Sequence, residues 1–189
     1  RRDRTLFVYD PQTREERVIA TLPPRWNIDA INCDETLAAG TITLTDSNDP
    51  SRDRKPMDEA AFMKQKGRMM EERLAKKLPM ELFTLDLRTG KVVNRFNRCT
   101  DWLNHVQFSP TDPHQLLFCH EGMWHKVTRT WIIRTDGSGL KCIHQRTMPM
   151  EIAGHEFWSA DGSTVWYDLQ TPRGEVFWLA GYQVKTGKR

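Results

Sequence analysis

The sequence predicts an all-β chain, a partial β-propeller of about three to four blades with one helical insertion. Two observations predict it: one kind of hairpin recurs along the 189 residues, and a second kind alternates with it. Together the two make a four-stranded unit repeating at roughly 46–48 residues where nothing interrupts it, the period of a propeller blade. Residues 1–189 are read as one partial propeller domain, with 45–79 as a helical insertion inside a blade.

The first kind of hairpin is an apolar strand, a D-x-x-T-G-like turn and a second strand. It stands at 6–20 (LFVYDPQTR, then ERVIA), at 82–93 (LFTLDLRTGKVV), at 130–140 (TWIIRTDGSGL) and at 177–187 (FWLAGYQVKTG). Alternating side chains around a turn that needs positive φ are the signature of such hairpins. The second kind has a Ser- and Asp-rich turn, at 30–39 (AINCDETLAA), 106–118 (VQFSPTDPHQLLF) and 156–167 (EFWSADGSTVWY). The interruption runs from Thr45 to Pro79. Its latter part, from Met57 to Lys77, is made of strong helix formers, with Glu72 and Lys76 at i,i+4. It falls between the second and third strands of a blade, so it projects from one rim, either as a lid over the central mouth or as a solvated excursion beside the ring.

Composition bounds the function. Hydrophobic residues at 38% and charged residues at 28% are those of a globular protein. A net charge of +3, dispersed along the chain, argues against nucleic acid, which calls for a dense basic stripe; it suits an acidic small molecule. No apolar run approaches the roughly 18 residues of a membrane span, and no signal peptide is visible, which says little about compartment in a chain that opens without Met. The chain opens without Met on Arg1 and stops after a hairpin turn at Arg189, so it reads as an internal piece of a longer protein. Cys33, Cys99, Cys119 and Cys142 have no metal-binding spacing and are expected to be reduced, buried small hydrophobes.

Chemistry concentrates between Asp101 and Trp158, which hold every histidine. His105 in HVQFSP and His155 in HEFWSA occupy the same offset before a Ser-containing turn, near the start of the innermost strand of successive blades. Innermost strands line the central channel, so repetition turns two isolated imidazoles into a converging pair, which suits a metal site, a general base, or both. His120 and His125 lie close by in sequence. Arg129 and Arg173 add permanent positive charge able to clasp a carboxylate. Glu121 and Glu156 can orient imidazoles or bind sugar hydroxyls, while Glu151 reads as a solvent-exposed blade charge. Most tryptophans should be inter-blade core, with Trp124 the one placed to stack on a sugar ring.

The motifs D-W-L-N-H, F-C-H-E-G, R-T-W at Arg129, G-H-E-F-W and D-L-Q-T-P-R-G resemble the oligogalacturonate lyases, polysaccharide lyase family 22, over nearly the whole chain outside the insertion. Met123 departs from the family's usual Pro. The resemblance implies a seven-bladed propeller that cleaves unsaturated digalacturonate and short pectin-derived oligogalacturonides by metal-assisted β-elimination, in the cytoplasm or alternatively the periplasm. It implies His155 as the base and Arg129 as a second catalytic group; the residue chemistry adds His105, His120, Glu121, Trp124 and Arg173 as groups expected to line the site and bind substrate. The family's manganese-type divalent ion is held by a histidine in the blade after H-E-F-W and by a later Q-x-x-H-x-H cluster. Neither occurs before Arg189, so the ligands are expected C-terminal to this chain and no metal ligand is assigned within it. The competing reading is a non-enzymatic TolB- or WD-like propeller that binds a partner at its rim. It accounts for the blades but leaves the His/Arg constellation without a purpose. A serine hydrolase is set aside for want of a G-x-S-x-G elbow.

Overall fold

The computed structural model describes residues 3–46 and 58–189, with side chains 60–63 left out. Four antiparallel sheets follow one another along the chain. The first pairs β1 (Thr5–Tyr9) with β2 (Glu16–Thr21). The second has the order β3 (Trp26–Ile31), β4 (Leu37–Thr43), β5 (Met80–Asp86), β6 (Val92–Cys99). The third runs β7 (Trp102–Phe108), β8 (Gln115–Glu121), β9 (Thr130–Arg134), β10 (Lys141–Cys142). The last comprises β11 (Ile152–Trp158), β12 (Thr164–Gln170) and β13 (Phe177–Gln183). Sequential strands pairing with their neighbours in up-and-down order is the blade pattern the sequence predicts.

Central strands read as near-continuous apolar runs because both faces are buried, each against a different neighbouring sheet. Side chains alternate with period two, so consecutive residues enter different cores. Ala39, Leu82, Leu116, Phe118 and Ile133 fill the seam between the second and third sheets. Their chain neighbours Leu117 and Ile132 fill the seam between the third and fourth with Ala153, Val165 and Tyr167. Ala38 and Phe83 turn instead toward the first sheet, against Leu6, Ile19 and Ala20.

The turns explain the recurring D-x-x-T-G. In the β5–β6 turn the Asp86 carboxylate accepts from the amides of Arg88 and Thr89, and Gly90 closes it at φ 70° with its amide on the Asp86 carbonyl. Asp10 does the same between β1 and β2, but Arg14 occupies the closing position at φ 61°. A side chain in that left-handed region costs energy that glycine avoids.

The insertion leaves and rejoins the second sheet between its adjacent strands β4 and β5. Beneath it the ladder is continuous to Thr43 opposite Met80, and the Leu44 amide donates to the Pro79 carbonyl. Its helix, α1 (Glu59–Lys76), is where the helix formers predict; Met57 lies outside the described residues. Glu72 pairs with Arg68 at 2.8 Å rather than with Lys76. The helix packs through Arg73, whose guanidinium lies over the Trp102 ring, and Glu71 reaches Lys126 at 2.6 Å, in the loop between β8 and β9.

Two expectations are corrected. The four cysteines are free, but only Cys119 is buried; Cys33 is exposed, and Cys99 and Cys142 are half-covered. Glu151 is not a surface charge: it is buried against His144 and accepts from the Thr147 amide and hydroxyl and the Met148 amide. Its partners sit on the short connection into β11, where sequence spacing gives no sign that the chain folds back.

Candidate active site

The innermost strands each slip register at the same level. β7 breaks between Asn104 and Gln107, β11 between Gly154 and Phe157, and β3 between Ile28 and Ala30. In β7 and β11 the bulge begins with a histidine at positive φ, 51° for both His105 and His155. A bulge with a left-handed first residue re-aims the side chain that carries it. Both imidazoles are turned outward, while the residues after them, Val106 and Glu156, are buried.

Beneath the two histidines lies Arg129, at the entry to β9 and only 4% exposed. Its Nη1 donates to Glu121 Oε1 at 2.7 Å and its Nε to Glu156 Oε2 at 3.3 Å. Glu121, the last residue of β8, also accepts from the Gly122 amide and Trp124 Nε1, and its other oxygen meets His105 Nε2 at 3.0 Å. Glu156 is fixed from behind, since Gln107 Nε2 donates to its backbone carbonyl. The Trp124 ring covers Arg129, with the guanidinium 4.8 Å from its centroid, and turns an edge to His155 at 5.1 Å. Gly154 makes room for it, because a Cβ there would come 2.9 Å from Trp124 Cζ3. His155 Nδ1 faces Asp168 Oδ2 across 3.5 Å, and that oxygen accepts a hydrogen bond from Gln170 Nε2.

Burial acts to raise Glu121, but the hydrogen bond from His105 and the Arg129 charge outweigh it and hold the carboxyl at about 2. The same hydrogen bond, against burial, raises His105. In the neighbouring inner strand, Asp29 keeps contact with solvent, yet crowding by protein pushes it up to about 6 against the pull of His105.

Five of the residues singled out in the sequence therefore meet: His155, Arg129, His105, Glu121 and Trp124. His120 does not join them. It precedes Glu121 on β8 and so faces the opposite seam, where it lies 5.0 Å from the Trp131 ring and 3.8 Å from Asp101. Arg173 lies on the exposed β12–β13 loop, near His125. Burial first, then the charges of Lys126, Arg173 and Arg146 against the pull of Glu71, hold His125 below its ordinary value. Sequence reasoning missed Gln107, Asp168 and Asp29. Asp168 falls inside the D-L-Q-T-P-R-G motif, and its placement opposite Gly154 in the hairpin was the available signal.

A sequence profile of the family described as oligogalacturonate lyase matches residues 1–171. The chain belongs to that family. The oligogalacturonate lyase of Dickeya dadantii is 36% identical over 87 residues, 46% of this chain and 22% of the relative. The oligogalacturonide lyase of Pectobacterium atrosepticum is 29% identical over 168 residues, 87% of this chain and 39% of the relative. A solved oligogalacturonate lyase in complex with manganese superimposes with a TM-score of 0.77 at 25% identity, over 98% of this chain and 46% of that one. The Vibrio parahaemolyticus oligogalacturonate lyase gives 0.79 at 26%, over 99% and 47%. This chain thus spans less than half the length of these lyases. TolB of Acinetobacter baumannii, at 15% identity and a TM-score of 0.56, shares the propeller fold alone.

Two groups of potential ligands lie within 4.8 Å among the described residues: His105, Cys119 and Glu121, and Cys99, Asp101 and His120. Neither fits a manganese ion, which prefers oxygen and imidazole donors to thiols. In the first group burial holds the Cys119 thiol protonated, and both Glu121 oxygens are engaged.

Proposed function

We propose that the protein carrying this chain cleaves unsaturated digalacturonate and short pectin-derived oligogalacturonides by β-elimination, with His155 as the base. The single observation that supports this most is the placement of His155. It stands on a bulge at the mouth with its side chain 72% exposed, held edge-on by Trp124, with Nδ1 toward Asp168. That leaves Nε2 free to meet a substrate. The guanidinium groups of Arg146 and Arg173 near His125, beside a Lys126 that Glu71 pairs, suit an acidic substrate.

The proton α to a uronate carboxylate is weakly acidic, so a base near neutral pH must take it while the developing enolate-like charge is stabilised. His155 Nε2 accepts that proton, and the glycosidic bond at C4 breaks without water. Hydrolysis would need two carboxyls spaced for it. Asp168 holds the imidazole orientation. Arg129 would have to leave Glu121 or Glu156 to touch a carboxylate, so its part is to fix both and to place positive charge beneath the Trp124 ring. His105, Glu121, Trp124 and Arg173 line the approach; His120 would reach substrate only from the neighbouring seam. The family's divalent ion, a Lewis acid on the uronate carboxylate, is expected to have its ligands outside the described residues, and no step here passes through it.

The test is turnover of unsaturated digalacturonate with manganese by the protein that carries this chain, read as product formed. Robust turnover that His155→Ala lowers by about 10²–10⁴-fold is expected. Absence of turnover, or full activity in the variant, overturns the reading. Among the described residues no helix is long and apolar enough to cross a membrane.

A further inference from the structure

The seam on the other face of β8 carries an ionisable cluster that the lyase reading does not use. His120 packs at 5.8 Å from the Phe118 ring and 5.0 Å from Trp131, so its ring plane is set by apolar neighbours. Its Nδ1 points at Asp101 Oδ2 across 3.8 Å, beyond hydrogen-bonding distance. Cys99, the last residue of β6, brings its thiol to the same place, with Sγ 3.8 Å from the Asp101 carbonyl. One donor atom from each of the three lies within 4.8 Å of the others.

The three come from separate pieces of chain: the end of one blade, the turn into the next, and that blade's second strand. Tetrahedral coordination at the usual bond lengths separates two ligand atoms by about 3.4–3.6 Å, so small side-chain rotations bring the trio onto one centre. Thiolate, imidazole and carboxylate together are a borderline-soft set, suited to a zinc-class ion and unsuited to manganese or magnesium. Asp101 is exposed and opens the cluster to solvent, while Cys99 and His120 are half-buried. We propose that Cys99, Asp101 and His120 form a binding site for a zinc-class divalent cation that ties the β6–β7 turn to the end of β8. Burial pushes the Cys99 thiol up to about 11, so binding displaces its proton to solvent. The ion would brace the wall whose opposite face presents Glu121 to Arg129.

The proposal is independent of the lyase reading and is tested without turnover. Metal-stripped protein carrying the full ring is titrated with Co²⁺ as the probe. A thiolate-to-cobalt charge-transfer band in the near ultraviolet, with tetrahedral bands in the visible, is expected to grow to one equivalent; Zn²⁺ should abolish it and Mn²⁺ should not. Cys99→Ser should remove the charge-transfer band, and Asp101→Ala, a change at an exposed position, should weaken binding by at least about tenfold while Cys33→Ser leaves it intact. No charge-transfer band in the parent protein, or a band that survives Cys99→Ser, overturns the site.

Discussion

His105 and His155 begin equivalent bulges in successive inner strands and share the same backbone twist, yet they differ in what they can do. His105 is tied to Glu121, and through it to Arg129. Among the described residues, His155 meets a distant Asp168 and the edge of Trp124. The blade repeat delivers an imidazole to the mouth, and the neighbour in the adjoining strand decides its role. Where β8 ends in a carboxylate the histidine becomes part of a buried charge network; where β12 offers Asp168 at longer range the ring stays available.

The sharpest way to test that difference is to exchange the losses. His155→Ala should cost about 10²–10⁴-fold in lyase turnover with little change in unfolding midpoint, since the ring is mostly exposed. A variant that loses stability instead would make His155 a structural residue. Arg129→Met should be the largest stability loss, about 3–5 kcal/mol, because it strands Glu121 and Glu156 in a buried seam. Denaturant unfolding of the protein carrying the chain measures it. Gly154→Ala should cost about 1–3 kcal/mol, because the new methyl displaces Trp124; turnover should fall as well, since the same ring positions His155.

The pH dependence separates the histidines further. His105 is raised in the folded state, so its contribution is present below the ordinary histidine range and fades as pH rises through the raised value. Glu121 is depressed to about 2, so its contribution is present above its ordinary 4.5 and is lost as pH falls toward 2. Stability of His105→Gln, followed from acid to mildly alkaline pH, should lose the fade on the alkaline side. An unchanged profile would remove His105 from the network. The smallest effect lies far from the site: Arg14→Gly should stabilise by up to about 1 kcal/mol by relieving the left-handed turn, visible as a higher melting temperature.

The propeller was legible because its signals are local. Turns such as Asp86–Gly90 carry their own hydrogen bonds, and strands buried on both faces write continuous apolar runs. The paired bulge histidines were legible for the same reason, as a repeated offset. What escaped was the division of labour between faces. His120 and Glu121 are adjacent in sequence and sit on opposite seams, a consequence of strand alternation that motif matching passes over. The engagement of Arg129 escaped too, since Glu156 reaches it from the next blade and a sequence shows the charge but not its partner. Cys99 and Asp101 gave no spacing signal because their third companion, His120, arrives from a different strand.

The continuous ladder beneath the insertion carries a last consequence. Because Thr43 still faces Met80 and Leu44 still bonds Pro79, the blade closes as an ordinary hairpin whatever hangs above it. Each doubling of such an excursion costs only about 0.6 kcal/mol in closure entropy, so chain closure constrains its length weakly. Through Glu71 on Lys126 the helix touches the loop that holds Trp124, and through its buried Arg73 it packs over Trp102 of β7. The segment thus reaches the Trp124 loop from outside the ring, while its buried Arg73 ties the helix to the blades.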